Sequence, residues 1–129
     1  MLKQTGCSET KKFLRILWIL AILTVIVGSL LPSNSSPMIL LNRLPVSDKI
    51  EHFFAYFVLT FLPTIHERRR LAVVAAIGAL TLGVGLEYAQ LYSGWRDFET
   101  GDMLADAIGV FCGVATGIPM RFEEIVHPC

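Results

Sequence analysis

The sequence is poor in charge and in cysteine, and both shortages limit the kind of protein it encodes. Charged residues make up 17% of the 129 residues and the formal net charge is zero, so no basic excess indicates a nucleic-acid partner. The cysteines Cys7, Cys112 and Cys129 form no CxxC or Cys/His spacing typical of zinc. The sequence therefore predicts three free thiols, no metal site and no cofactor.

Apolar residues, by contrast, are in excess. They account for 53% of the chain, and the mean hydropathy is positive. A soluble domain of this length leaves much of its area exposed and is too small to bury so much apolar surface. A lipid bilayer is the simplest solvent for the excess, so the sequence predicts an integral membrane protein.

Four stretches are predicted to cross the bilayer as helices, namely residues 13–31, 48–65, 71–92 and 102–119. The first is long enough by itself, since about 19 residues make ~28 Å of helix. The second spans only if the turn with Glu51 and His52 is drawn to membrane depth. A cleaved signal peptide is the alternative for the first stretch, although no Ala-x-Ala site follows it. The whole chain, residues 1–129, is thus predicted to be one all-α domain, a four-helix membrane bundle.

The distribution of basic residues predicts the orientation of this bundle. One side carries Lys3, Lys11, Lys12, Arg15, Arg68, Arg69, Arg70 and Arg121, whereas the other carries Arg43, Lys49 and Arg96. The positive-inside rule places both termini in the cytoplasm and the first and third loops outside. We therefore expect a multi-pass protein of the plasma (inner) membrane.

On this topology the polar residues of three predicted helices converge near the outer face. They are Asp48, Glu51 and His52 on the second span, Glu87 and Gln90 on the third, and Asp102 and Asp106 on the fourth, with Arg96 in the loop between. Tyr56 shares a helix face with Asp48 and His52. Gly109, Gly113 and Gly117 continue the face of Asp106, and such a stripe favours close helix approach in lipid.

Each of these residues also has a structural interpretation. Asp48 with Glu51 fits a capping box and Asp102 fits an N-cap, while His52 and Gln90 can hydrogen-bond between helices. Glu87 is hardest to explain in this way. It lies inside the membrane near a helix C-terminus, where the dipole disfavours negative charge, so we expect it to be protonated or paired with His52 or Arg96.

The same residues form a motif pattern that resembles the VanZ-like membrane proteins. The D-K-x-x-H-F-x-x-Y signature is matched at 48–56, the E-x-x-Q signature at 87–90, and the closing block by Arg96, Asp102, Gly109 and Gly113. The resemblance covers about residues 48–113. It implies a multi-spanning membrane protein of a family named for a member that confers low-level resistance to teicoplanin. Asp106 departs from the pattern, because many relatives have Asn there.

Three classes of function remain open at this stage. The first is a binding protein for a cell-envelope lipid, a lipid-linked precursor or a glycopeptide-related ligand. Its candidate binding residues are Asp48, Lys49, His52, Tyr56, Glu87, Gln90, Arg96, Asp102 and Asp106. The second is an intramembrane enzyme with His52 and Glu87 as acid and base, or a metal-assisted hydrolase that also uses Asp106. The third is a structural scaffold for a partner. An oligomer is also open, because the glycine stripe can serve either within one chain or between copies.

Overall fold

The computed structural model describes residues 2–31, 36–43, 48–94 and 99–126. Within these ranges the chain forms five helices: α1 (Leu2–Leu30), α2 (Ser36–Asn42), α3 (Asp48–His66), α4 (Arg69–Ser93) and α5 (Thr100–Val126). The prediction of an all-α fold is confirmed. Helix α2 lies in the loop between the first and second predicted spans and contains the apolar sequence Met38–Leu41.

Helices α3 and α4 begin and end close to the second and third predicted spans, whereas α1 and α5 are longer than predicted. Helix α1 begins at Leu2 because its polar first turns suit a helix, with the Lys12–Glu9 ion pair at 3.0 Å. Helix α5 continues through Pro119 to Val126, since a proline removes one hydrogen bond without always ending a helix. Helix α4 ends at Ser93 and is capped by Gly94, whose φ of 69° is the left-handed conformation of a C-cap.

Within the described residues, three helices are long and apolar enough to cross a membrane, over Ser8–Leu30, Arg69–Ser93 and Thr100–Arg121. Helix α3 is not among them, because its first turn carries Asp48, Lys49 and Glu51. The outer faces of the helices are apolar: the exposed fraction is 74% for Phe111 and 63% for Val74. Such large exposed apolar surface is what lipid covers. These properties fit a membrane protein.

Helix α3 lies at the centre and packs most extensively against α5. The glycine stripe of α5 makes this packing close, as its spacing predicts. A Cβ atom on Gly109 would collide with the carbonyl oxygen of Phe53, and one on Gly117 would lie 2.7 Å from Cγ2 of Thr64. These contacts pair the beginning of α3 with the beginning of α5, so the two helices run parallel. Residues in their first turns are therefore brought side by side.

Helices α1 and α4 run in the opposite direction to α3 and α5. Trp18 of α1 donates its indole N–H to the carbonyl oxygen of Leu59 at 2.9 Å. Arg15 of α1 contacts Glu67 at the end of α3, with Nη2 2.6 Å from Oε1. Gln90, near the end of α4, bonds to Ser29, near the end of α1, so α4 ends where α3 and α5 begin.

Candidate functional site

A group of buried ionisable residues lies at the end of the molecule where α3 and α5 begin and α4 ends. We call His52, Glu87, Asp102 and Asp106 the polar cluster. His52 lies in the second turn of α3, Glu87 near the end of α4, and the two aspartates in the first turns of α5. The three helices meet here because α4 is antiparallel to its two neighbours.

The two nitrogen atoms of the His52 ring face different carboxylates. Nδ1 lies 2.8 Å from Oδ1 of Asp106, which is hydrogen-bond distance. Nε2 lies 3.8 Å from Oδ2 of Asp102, which is too far for a hydrogen bond. The His52 side chain is only 14% exposed, and the Asp106 side chain only 4%. Helices α3 and α5 therefore share a histidine held between two aspartates.

Glu87 brings a third carboxylate into the same space. The residue is 1% exposed, and the backbone N–H of Glu99 donates a hydrogen bond to it. Each of His52, Glu87 and Asp102 offers one possible ligand atom, and these three atoms lie within 4.8 Å of one another. Helix α4 thus completes a compact set of one imidazole and three carboxylates.

The carboxylates of the polar cluster are not fully satisfied by protein groups. Oε2 of Glu87, Oδ1 of Asp102 and Oδ2 of Asp106 are buried and have no hydrogen-bond partner among the described residues. A buried charged oxygen without a partner costs on the order of 1–3 kcal/mol or more. The described part of the chain therefore leaves acceptor capacity at this site.

Gly83 and Tyr56 shape the wall of the polar cluster. A Cβ atom on Gly83 would lie 2.8 Å from Oδ2 of Asp106 and 3.3 Å from Cε1 of Tyr56. Tyr56 is only 2% exposed, so it is a buried wall residue rather than an interfacial aromatic. The glycine lets the Asp106 carboxylate approach α4.

Lys49 lies at the rim of the polar cluster. Its Nζ atom is 2.9 Å from Oε2 of Glu99 and 3.9 Å from Oδ1 of Asp102. Its positive charge is thus already shared between two carboxylates. Asp48 is exposed at the first residue of α3.

The structure brings most of the predicted site residues together but separates some. Gln90 belongs elsewhere: its amide donates to the carbonyl oxygen of Ser29 at 2.8 Å, joining α4 to α1. Asp102 is not an N-cap, because α5 already begins at Thr100 and Asp102 lies in its first turn. Arg96 lies outside the described residues. Gly83, which shares a helix face with Glu87 four residues later, was not among the candidate binding residues.

The opposite end of the molecule carries a second polar contact and a cavity. The carboxylate of Glu67 accepts hydrogen bonds from Arg15, with Nε at 2.8 Å, and Nε2 of His66 lies 3.4 Å from the same oxygen. The cavity of about 570 Å³ is mostly apolar and is lined by α4 and α5 residues that include Arg69 and Arg121. Neither feature includes a residue of the polar cluster.

Together these features define an all-helical chain with helices suited to a membrane and a buried acidic cluster at one end. An uncharacterized protein of Schizosaccharomyces pombe (strain 972 / ATCC 24843) is 28% identical to this chain over 84 residues. The similarity covers 62% of this chain and 51% of the yeast protein, so the chain spans about half of that relative. No family model matches the chain, and no solved structure matches it.

Proposed function

We propose that this chain is a VanZ-like membrane protein with four spans, whose polar cluster binds the polar headgroup of an envelope lipid or a lipid-linked precursor. The motif residues support this proposal, since His52, Glu87 and Asp102 come from three separate motifs and share one site. The proposed location is the outer face of the plasma membrane.

The distribution of charge supports the proposed orientation. Arg68, Arg69, Arg70 and Arg121 lie at the end of α3, the start of α4 and the end of α5, opposite the polar cluster. Arginine-rich loops and helix ends remain in the cytoplasm during insertion. With both termini inside, the polar cluster faces the exterior.

The observation that carries the binding proposal is the contrast between satisfied and unsatisfied polar residues. The Gln90 amide and the Glu67 carboxylate, which join helices, find partners in Ser29 and in Arg15. Glu87 and Asp106 each retain a buried oxygen without a partner among the described residues. Polar residues that serve only to join helices would be expected to satisfy one another. A ligand that supplies donors or positive charge explains why these oxygens remain available.

The charge of the site restricts the chemistry of this ligand. Three carboxylates outnumber the nearby described cation Lys49, which already pairs with Glu99 and Asp102. A bare phosphate would be repelled by protein groups alone. Hydroxyl and ammonium groups, as in sugar or amino-sugar headgroups, match the free acceptors. The proposed ligand is therefore a glycosylated lipid or a glycopeptide-related molecule.

Lipid binding in nanodiscs tests this proposal. The wild-type protein, Glu87→Gln and His52→Ala are reconstituted with either a polyprenyl-linked amino sugar or a glycosyl diacylglycerol. Thr81→Ala, on an exposed position of α4, is the matched control. We expect native mass spectrometry to show a retained glycolipid with the wild type and the control but not with the other two variants. Equal retention by all four proteins, or by none, would contradict the proposal.

The His52–Asp106 hydrogen bond favours an acid–base enzyme as a second candidate function. A histidine whose Nδ1 is held by a carboxylate presents Nε2 for proton transfer, as in many hydrolytic sites. The same glycolipids serve as the test. Release of a sugar by the wild type and not by His52→Ala would indicate catalysis, whereas unchanged lipid would exclude hydrolysis of these probes.

A further inference from the structure

We propose that His52, Glu87 and Asp102 bind one divalent transition-metal ion, such as Zn²⁺ or Mn²⁺, and that Asp106 orients His52 for this purpose. The sequence gives no local metal motif, because the three residues come from three different helices. The inference concerns the same cluster as the proposed lipid site, but it rests on geometry alone and does not require that lipid.

The spacing of the candidate ligand atoms fits a single metal ion. Metal–nitrogen and metal–oxygen bonds of about 2.0–2.2 Å place two ligands of one ion roughly 3–4 Å apart. Nε2 of His52 and Oδ2 of Asp102 are separated by 3.8 Å. A Glu87 oxygen completes a set in which all separations are within 4.8 Å, so small side-chain rotations close the site around an ion.

The role of Asp106 follows from which nitrogen atom it contacts. A neutral ring that donates Nδ1–H to Asp106 over this 2.8 Å contact carries its lone pair on Nε2. Nε2 lies 3.8 Å from Oδ2 of Asp102, and a lone pair at that position is repelled by the carboxylate. A cation between them removes the repulsion. Histidine ligands of metals are commonly oriented in this way by a carboxylate behind the ring.

The electrostatics of the site point to the same occupant. Glu87 is 1% exposed and Asp102 is 6% exposed, and each retains an unpartnered buried oxygen within the described chain. A divalent ion compensates both carboxylates in one step, which Lys49 at the rim does not do. Mixed imidazole and carboxylate ligands favour zinc, manganese or iron over magnesium and calcium, which prefer oxygen alone.

Three protein ligands leave at least one coordination position open. Structural zinc sites are usually closed by four protein ligands, whereas sites that bind or activate a molecule retain an open position. Water or an oxygen atom of a headgroup can take that position. The proposed ion is therefore suited to ligand binding rather than to holding the fold together.

The opposite end of α3 provides an internal contrast. His66 and Glu67 also form a histidine–carboxylate pair, with Nε2 3.4 Å from Oε1. There the guanidinium of Arg15 lies 2.6 Å from the same oxygen and supplies the positive charge. We infer no metal at this pair, and His66→Ala is the matched control for His52→Ala.

The test measures metal binding by the purified full chain in detergent. To exclude thiolate sites, Cys7, Cys112 and Cys129 are replaced by Ser, and a tag without histidine is used. After chelation and dialysis, Zn²⁺ or Mn²⁺ alone is titrated without added glycolipid. We expect one ion per chain, and X-ray absorption spectra of the zinc form should show only nitrogen and oxygen ligands with one imidazole.

The variants then identify the ligands. His52→Ala, Glu87→Gln and Asp102→Asn are expected to weaken binding by more than about 100-fold, whereas His66→Ala leaves it unchanged. Circular dichroism shows whether each variant is still helical. If a variant does not fold, the X-ray absorption spectrum of the protein with His52, Glu87 and Asp102 intact still tests the ligand set.

Less than a tenth of an equivalent bound, or an unchanged affinity in Glu87→Gln, would overturn the metal assignment. Glycolipid retention by chelator-treated protein is a separate readout. Metal binding without glycolipid retention would contradict only the proposed lipid-binding function. Glycolipid retention without metal binding would contradict only the metal site.

Discussion

The Nδ1 atom of His52 lies 2.8 Å from Oδ1 of Asp106, and this partly buried hydrogen bond joins α3 and α5 near the beginning of both helices. The bond fixes the orientation of the ring and leaves Nε2 facing Asp102, 3.8 Å from its Oδ2. Because Asp106 lies on the same face as the glycines that pack against α3, helix packing and the geometry of the site depend on one interface.

Replacing Asp106 separates its orienting role from its charge. Asp106→Asn retains an oxygen that accepts from Nδ1–H, so metal affinity should fall by less than about 10-fold. Asp106→Leu removes the acceptor and should weaken metal binding by about 10–100-fold. Both affinities are measured by titration of the chelated protein. Equal losses in the two variants would show that the charge of Asp106, rather than its hydrogen bond, matters.

The close contact between α3 and α5 predicts a steep cost for a methyl group at Gly113. In Gly113→Ala the added Cβ would collide with Oγ1 of Thr60, and we expect the free energy of unfolding to fall by about 1–3 kcal/mol. Gly85→Ala is the control, because no described residue places an atom within 4 Å of its Cβ position, apart from the local backbone of the helix. That variant should gain up to ~1 kcal/mol from helix propensity. Denaturant unfolding in detergent, followed by circular dichroism, measures both.

The partly buried ion pair between Arg15 and Glu67 joins α1 to the end of α3, so its loss is predicted to destabilise the protein. The Glu67 side chain is 9% exposed, so Arg15→Ala leaves a buried carboxylate without its donor. We expect a loss of about 1–3 kcal/mol in unfolding free energy. Lys12→Ala, which breaks an exposed pair with Glu9, should change the same quantity by less than about 0.5 kcal/mol. Similar effects of the two variants would argue against a specific role for the Arg15 pair.

The proposed orientation makes a prediction about chemical labelling. In a background without native cysteines, Tyr92→Cys places a thiol at an exposed position near the end of α4 that carries the polar cluster. A membrane-impermeant maleimide should label it in intact cells. Arg70→Cys, at the opposite end of α4, should be labelled only after permeabilisation. The reverse pattern would invert the topology and place the polar cluster in the cytoplasm.

Much of the fold is predictable from the sequence because hydrophobic length and charge position are local properties. In the sequence, prolines and serines at 32–37 follow the end of α1, charged residues at 66–70 lie at the junction of α3 and α4, and Gly94 follows the end of α4. The early start of α1 is harder to predict, since a polar segment continues a helix whenever its side chains permit. Its first residues contain no proline, and Lys12 pairs with Glu9 along the helix.

The composition of the polar cluster is also predictable, but the role of each member is not. Helical spacing and a common membrane depth bring His52, Glu87 and Asp106 together. They do not determine which carboxylate holds Nδ1 and which faces Nε2, because that depends on side-chain rotamers and on the distance between α3 and α5. Gln90 shows the same limit: it follows Glu87 by three residues, yet it bonds to Ser29 on α1.

The most direct test of whether the polar cluster is a binding site or serves to join helices compares Glu87→Gln with Gln90→Ala in chelator-treated protein. Glutamine keeps an acceptor for the Glu99 backbone N–H and removes a buried carboxylate, so we predict that the free energy of unfolding is unchanged or rises by up to ~1 kcal/mol. Gln90→Ala loses an interhelical hydrogen bond, so its free energy of unfolding should fall by roughly 0.6–1.7 kcal/mol. A loss of about 2 kcal/mol or more in Glu87→Gln would contradict the account and assign the polar cluster to helix packing.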